Sequence, residues 1–365
     1  MGSVGPARFV PMKSTLRAVS VLAAAAAVSL VLAGCSPAPA QSTTSASAYC
    51  ARMVTNSGGI DDRSFNQSSW EGLQKAEADL GIGAQVLVST NETDLAPNVE
   101  QAVGSGCGFV LTVGYELADA TTAQAASHPS THFAIVDEQV TAPNVKSILF
   151  DTAQASYLAG YLAAGVSKTG KVATFGGGNQ PPVTLFMDGF VDGVAAYNTA
   201  HGTSVQALGW DKAAQNGVFT GDFEDVNKGK TVTQAFIDQG ADVIMPVAGQ
   251  VGEGTAAAAL ESGTAKVIWV DNDGYDTLPA EYKPILLTSV MKKTGDAVEK
   301  IVGDDSKGTF DNSSYIGTLA NGGVDLASYH DLESSLPAGL ADEITALKAD
   351  IVSGKVVVSS PSAPQ

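Results

Sequence analysis

Residues 53 to 74, MVTNSGGIDDRSFNQSSWEGLQ, crowd two asparagines, two adjacent acids and a phenylalanine around the start of a helix. Asp61–Asp62 in this stretch, and Asp271 with Asp273 in DNDGYD, are of the type that supplies general acids or binds calcium. DNDGYD lacks the distal glutamate of a calcium loop, and acids so placed more often accept hydrogen bonds from a sugar or cap a helix. Phosphate chemistry fares no better. In FEDVNKGKT, Glu224 stands where a P-loop needs its first glycine, and its carboxylate would repel the phosphates. GVSKTGKV ends in Val172 where a magnesium-binding hydroxyl is required. GGGN, Gly176 to Asn179, follows a strand as in dinucleotide sites, but PP takes the place of a helix-opening G-x-x-G. His128, His132, His201 and His330 have no metal-binding spacing, and no G-x-S-x-G elbow occurs. No catalytic set, metal or cofactor emerges; these are the residues of a binding site.

The elements that must position such a site can be read from periodicity. CARMVTN, AQVLVST, CGFVLTVG, HFAIVDE and VKSILFD precede Asp151; GKVATFGG, SVQALGW, DVIMPVAG and KVIWVDND follow, then ILLTSVM. Most are apolar on both faces, as parallel strands covered by helices on each side must be. Helical patterns alternate with them: Leu158, Tyr161, Leu162 and Val166 recur at three- and four-residue spacing. The fold class expected is α/β, two doubly wound lobes with a cleft between them, and ligands in such sheets bind beyond the carboxyl ends of the strands. The loops there include TNSGGIDDRSF, TVGYELAD, VDEQV, FGGGNQPPVTLF, VAGQVGEG and VDNDGYD. Ser64 and Gln67 fit a capping box, which would place Phe65 and Asn66 in the first helical turn beside free N–H groups. Phe65 alone could equally staple the helix entry; Asn56, Asp61, Asp62 and Asn66 around it favour a site.

Residues 1–34 carry Arg8, Lys13 and Arg17, no acid, and an apolar stretch that stops at Cys35. This is an export signal, and LAGC matches the bacterial lipobox, in which the cysteine becomes the lipidated first residue; cleavage near Ala38 or Ala40, or an uncleaved anchor, are the alternatives. Residues 35–47 are rich in Ser, Pro, Ala and Thr and read as a tether. The net charge is −18, and loss of the three leader cations leaves −21, which argues against nucleic acid as a partner. Cys50 and Cys107 each open a strand-like run, so one disulfide is expected in an exported chain, two buried thiols being the alternative. Lobe one is expected at 48–151 plus 274–315 and lobe two at 152–273 plus 316–355. The chain would cross near Asp151, Asp273 and Tyr315. Residues 332–352 look helical, and 356–365 look disordered.

GGIDDRSFNQSSWEGL, FAIVDEQV, NVKSILFDTAQASYLAGYLA, GDFEDVNKGK and ILLTSVMKK together resemble the basic membrane protein family, from about Cys50 to Lys355. The resemblance implies a type I periplasmic-binding architecture joined by three crossing strands. It also implies a lipid-anchored, monomeric substrate-binding subunit that serves an ABC permease and ATPase on the extracytoplasmic face. Its best-understood members are purine nucleoside receptors. Carried over by position, the base-stacking aromatics fall on Phe65 and Phe223, with Phe186 as a stand-in, and the adjacent amide on Asn66. The strand-end acids fall on Asp137 and Asp271, the loop glycine on Gly249, and the ribose-side lysine on Lys292, with Lys293 one residue away. Asn56 departs from the family's aspartate. If it faces the base, an amide there would broaden or shift preference towards adenosine or cytidine, because it both donates and accepts. The same fold tuned to a sugar or signalling molecule, an exported nucleoside hydrolase, and a surface adhesin or sensor are the competing readings.

Overall fold

The computed structural model describes residues 49–364; the leader, Cys35 and the tether through residue 47 lie outside the described residues. Two six-stranded sheets carry the architecture. The first runs, in spatial order, β13 (Tyr315–Gly317), β5 (Val145–Phe150), β4 (His132–Val136), β3 (Phe109–Val113), β1 (Cys50–Thr55) and β2 (Gly83–Leu87), all parallel. The second runs β14 (Val324–Leu326), β12 (Leu286–Lys292), β11 (Lys266–Asp271), β10 (Val243–Val247), β6 (Lys171–Gly176) and β7 (Gln206–Leu208). It is parallel except for the β12–β14 pair. A short hairpin, β8 (Trp210–Asp211) with β9 (Asn216–Gly217), lies beyond β7. Read strand by strand, the two sheets have the same order, so β4 corresponds to β11 and β1 to β6.

Central strands such as β3 and β10 are buried along their whole length, which explains why their sequences are apolar at every position but Thr112. The first sheet is covered by α1 (Phe65–Leu80), α2 (Glu92–Gly104), α3 (Ala118–Ser127) and α9 (Thr294–Ser306). Around the second pack α4 (Thr152–Val166), α5 (Pro181–His201), α6 (Val226–Asp238), α7 (Gly252–Ser262), α8 (Gly274–Thr277) and α10 (Leu340–Val352). Cys50 and Cys107 form a disulfide, with Cα atoms 5.0 Å apart, that ties the start of β1 to the approach to β3. Among the described residues no helix is long and apolar enough to cross a membrane.

The chain passes between sheets after β5, after β12 and after β13, and the crossings are bound together: Asp151 N–H donates to Gly317 at 2.8 Å, and Lys293 N–H to Gly323 at 2.9 Å. A Cβ on Gly317 would lie 2.3 Å from the Phe150 ring, so only glycine lets these strands touch.

Three sequence expectations need correction. The second crossing lies at Lys293, not near Asp273, because β12 pairs with β11 from Val267–Leu286 to Asp271–Met291 and so completes the second sheet. The helix expected over 332–352 is shorter: a 3-10 turn, His330–Ser335, ends at Leu336–Pro337, and α10 begins at Leu340. The tail from 356 is not loose. Val356 and Val358 pack against the core, Lys212 Nζ donates to the Ser359 carbonyl at 2.5 Å, and Ser360 Oγ donates to Asp188 at 2.6 Å.

Candidate functional site

Residues at or just beyond the ends of β1, β3, β4, β10, β11 and β12 line one cavity that opens between the two sheets. Asn56, Phe65, Asn66, Asp137, Phe223, Gly249, Asp271 and Lys292 all line it. Asp61 is exposed and outside it.

Asp137 and Asp271 end β4 and β11, equivalent strands of the two lobes, and both adopt left-handed backbone, φ 68° and 69°. Non-glycine residues pay for that conformation, and such strained positions cluster at active sites and ligand clamps. Lys292 is the last residue of β12 and is 3% exposed. Its ammonium pairs with Asp137 across the cleft and stands 4.5 Å from the Phe65 ring centroid. Burial pushes the Asp137 carboxyl above its ordinary range, while Lys292 opposes that shift. Lys293, just past the end of β12, lines a groove between α1 and α9 and not the cavity, whereas Lys292 lines the cavity.

The capping box expected at Ser64 does not form. Asp62 does the work, accepting N–H bonds from Ser64 (3.0 Å), Asn66 (2.8 Å) and Gln67 (3.0 Å). Burial raises its carboxyl to about 6 despite these three donors. The Ser64 hydroxyl instead donates to Asp271 of the other lobe at 2.5 Å. The same turn is gripped from lobe two by Trp269, whose indole donates to the Arg63 carbonyl at 3.2 Å, and by Asn272, which donates to the Ser64 carbonyl at 3.0 Å. The turn that carries Phe65 is therefore shared by both lobes.

Phe223 enters from the loop before α6 and rests on glycine. A Cβ on Gly177 would come within 2.4 Å of its ring, and Gly249, φ 55°, lies beside its backbone. Phe186 also lines the cavity, but at 2% exposure it belongs mainly to the core of α5. Two contributors were missed from sequence. Glu116, in the turn after β3, accepts from Gln180 Nε2 at the start of α5 at 2.7 Å, a bond that spans the cleft. Both sit in loops singled out for lying beyond strand ends, TVGYELAD and FGGGNQPPVTLF, which was the signal available. Among the described residues no group of acids, histidines and cysteines could hold a metal ion.

The profile of the Bmp family, described as ABC transporter substrate-binding protein PnrA-like, matches residues 51–360. The chain belongs to this family of substrate-binding proteins. It is 32% identical to the ABC transporter nucleoside-binding protein BmpA of Lactococcus lactis subsp. cremoris, over 96% of this chain and 100% of that protein. It is also 32% identical to a CD4+ T-cell-stimulating antigen of Listeria monocytogenes, covering 85% of this chain and 88% of the other. Among solved structures, an ABC transporter solute-binding protein of Aeropyrum pernix K1 superposes with a TM-score of 0.75 at 24% identity, covering 86% of this chain and 94% of that one. A solute-binding protein of Conexibacter woesei superposes with a TM-score of 0.65 at 22% identity, covering 86% and 100%. These likenesses fix the fold: two parallel-sheet α/β lobes of the solute-binding type.

Proposed function

We propose that this member of the family captures nucleosides, purine nucleosides foremost, for an ABC importer, and that it performs no chemistry on them. The observation that carries this reading is one cavity bounded by aromatic rings from both lobes, Phe65 and Phe223, with strand-end carboxylates and one ammonium beside them. A purine offers two π faces, and each ring stacked on it contributes on the order of 1–3 kcal/mol. A ribose diol offers donors to Asp137 and Asp271 and acceptors to Lys292. Each lobe holds part of the contacts, so a bound nucleoside favours the closed form by its differential affinity for that form. The name of the Lactococcus relative points the same way.

Cys35 carries the lipid in this reading, residues 35–47 form the tether, and the body works as a monomer on the extracytoplasmic face beside its permease and ATPase. Calorimetry on the mature protein should register saturable heat with a nucleoside. Phe65→Ala and Phe223→Ala should each weaken affinity by roughly ten- to a hundredfold, with the melting temperature of the unloaded protein little changed. Incubation with inosine should return the nucleoside intact, whereas release of free base would make the protein a hydrolase. Tight binding of a free sugar in preference to any nucleoside would favour the same fold serving another ligand.

A further inference from the structure

The polar wall of the cavity has an unbalanced set of hydrogen-bonding groups. Asn66 Nδ2 donates to Asn56 Oδ1 at 2.8 Å and to the Ser57 carbonyl at 3.4 Å. Both partners are acceptors, which fixes the orientation of the Asn66 amide. Its Oδ1 is buried, on a residue 1% exposed, and meets no donor among the described residues. Asn56 has its carbonyl engaged by Asn66, so its Nδ2 is the group it can offer a ligand. Glu116 has one carboxylate oxygen on Gln180, while Oε2 is buried with no donor among the described residues. A Cβ added to Gly114 would lie 2.8 Å from Glu116 Oε2 and 3.1 Å from Asn56 Nδ2, so these two atoms stand together over the Gly114 backbone.

Two buried acceptors that lack donors, and one donor, thus belong to residues that line the cavity. A ligand that satisfied all three would bring two N–H groups and one acceptor. We propose that Asn56, Asn66 and Glu116 select nucleosides whose base carries an exocyclic amino group; this rests on the nucleoside reading above. An amino group supplies two donor hydrogens and, in adenine and cytosine, adjoins a ring nitrogen with a free lone pair. Guanine carries its amino group between the ring N1–H and N3, whose lone pair supplies the acceptor. Hypoxanthine and uracil supply one ring N–H, which leaves a buried acceptor unmet. Sites built around such a group discriminate strongly against analogues that lack it, because the unmet partner bears the full desolvation cost. Glu116 is also the lobe-one end of the bond to Gln180, so recognition of the amino group and closure of the cleft converge on one carboxylate.

The test is calorimetry of the full mature protein with adenosine, cytidine, guanosine, inosine and uridine. Adenosine, cytidine and guanosine should bind at least about tenfold more tightly than inosine and uridine. Glu116→Gln, which turns an acceptor into an amide able to donate, should narrow the adenosine-to-inosine ratio severalfold. The ligand series on the unaltered protein stands whether or not that variant folds. Inosine binding as tightly as adenosine and guanosine overturns this inference alone. Absence of heat with every nucleoside overturns the nucleoside reading and this inference with it.

Discussion

Asp62 shows how one side chain can serve structure at an electrostatic cost. Its carboxylate ties down three N–H groups at the start of α1, yet burial raises its pKa to about 6 from the ordinary 3.8. The folded protein therefore holds a proton on Asp62, between about pH 4 and 6, that the unfolded chain has released. Proton linkage then makes this residue's contribution fall as pH rises through that window, by at most about 1.4 kcal/mol per pH unit. Other carboxyls titrate in the same range, so the informative quantity is a difference. Urea unfolding of the protein and of Asp62→Asn between pH 4 and 6 should give stability curves that draw closer, or cross, as pH rises. Parallel curves would mean that Asp62 titrates normally. Locally, the sequence was misleading at this turn. S-x-x-Q is a genuine capping signal, but the hydroxyl it relies on is taken by Asp271, 207 residues away. No local pattern encodes that partner. Phe65 and Asn66 were legible as first-turn residues because the helix start itself was correctly placed.

Among the elements, strands buried on both faces declared themselves through unbroken apolar runs, and helices through three- and four-residue spacing. Lobe membership did not. ILLTSVM reads as a parallel strand wherever it lies, and only its register against KVIWVD assigns it to the second sheet. The tail failed for a related reason. SSPSAPQ has the composition of a disordered segment, but its partners are spread over the chain. Asp188, already accepting from the Trp210 indole at 2.8 Å, also receives Ser360; Thr184 meets Ser362 at 2.9 Å; and Lys212 holds Ser359. Truncation after Lys355 should therefore cost about 2 kcal/mol, lowering Tm by a few degrees, while nucleoside affinity changes less than about threefold, or roughly 0.7 kcal/mol. A differential scanning experiment that finds no change in Tm would show these contacts to be without energetic weight.

As a whole molecule, the protein is two copies of one strand order facing each other across a cleft, and its charge is as informative as its shape. The cavity walls include Asp62, Glu116, Asp137 and Asp271 against one ammonium, Lys292, which is already paired. The adjoining mouth adds Glu92, Asp222 and Glu224, with the Lys228 ammonium held on Asp222. A phosphate brought into this field meets repulsion from several sides and no unpaired cation on the walls. Nucleoside 5′-monophosphates should bind at least about a hundredfold more weakly than the parent nucleosides, a difference of about 2.7 kcal/mol; competition with labelled adenosine would measure it, and comparable inhibition by the monophosphate would contradict it. The net charge of −18 was plain from composition and already spoke against nucleic acid. The pairing of Glu116 with Gln180 across the cleft was not, since it depends on how two loops 64 residues apart meet. The most direct test of the central claim is a crystal structure of the mature protein grown with adenosine. The base is expected between the rings of Phe65 and Phe223, with the ribose hydroxyls on Asp137, Asp271 and Lys292. A base bound elsewhere, or in the cleft with either ring turned away from it, would rule out this mode of capture.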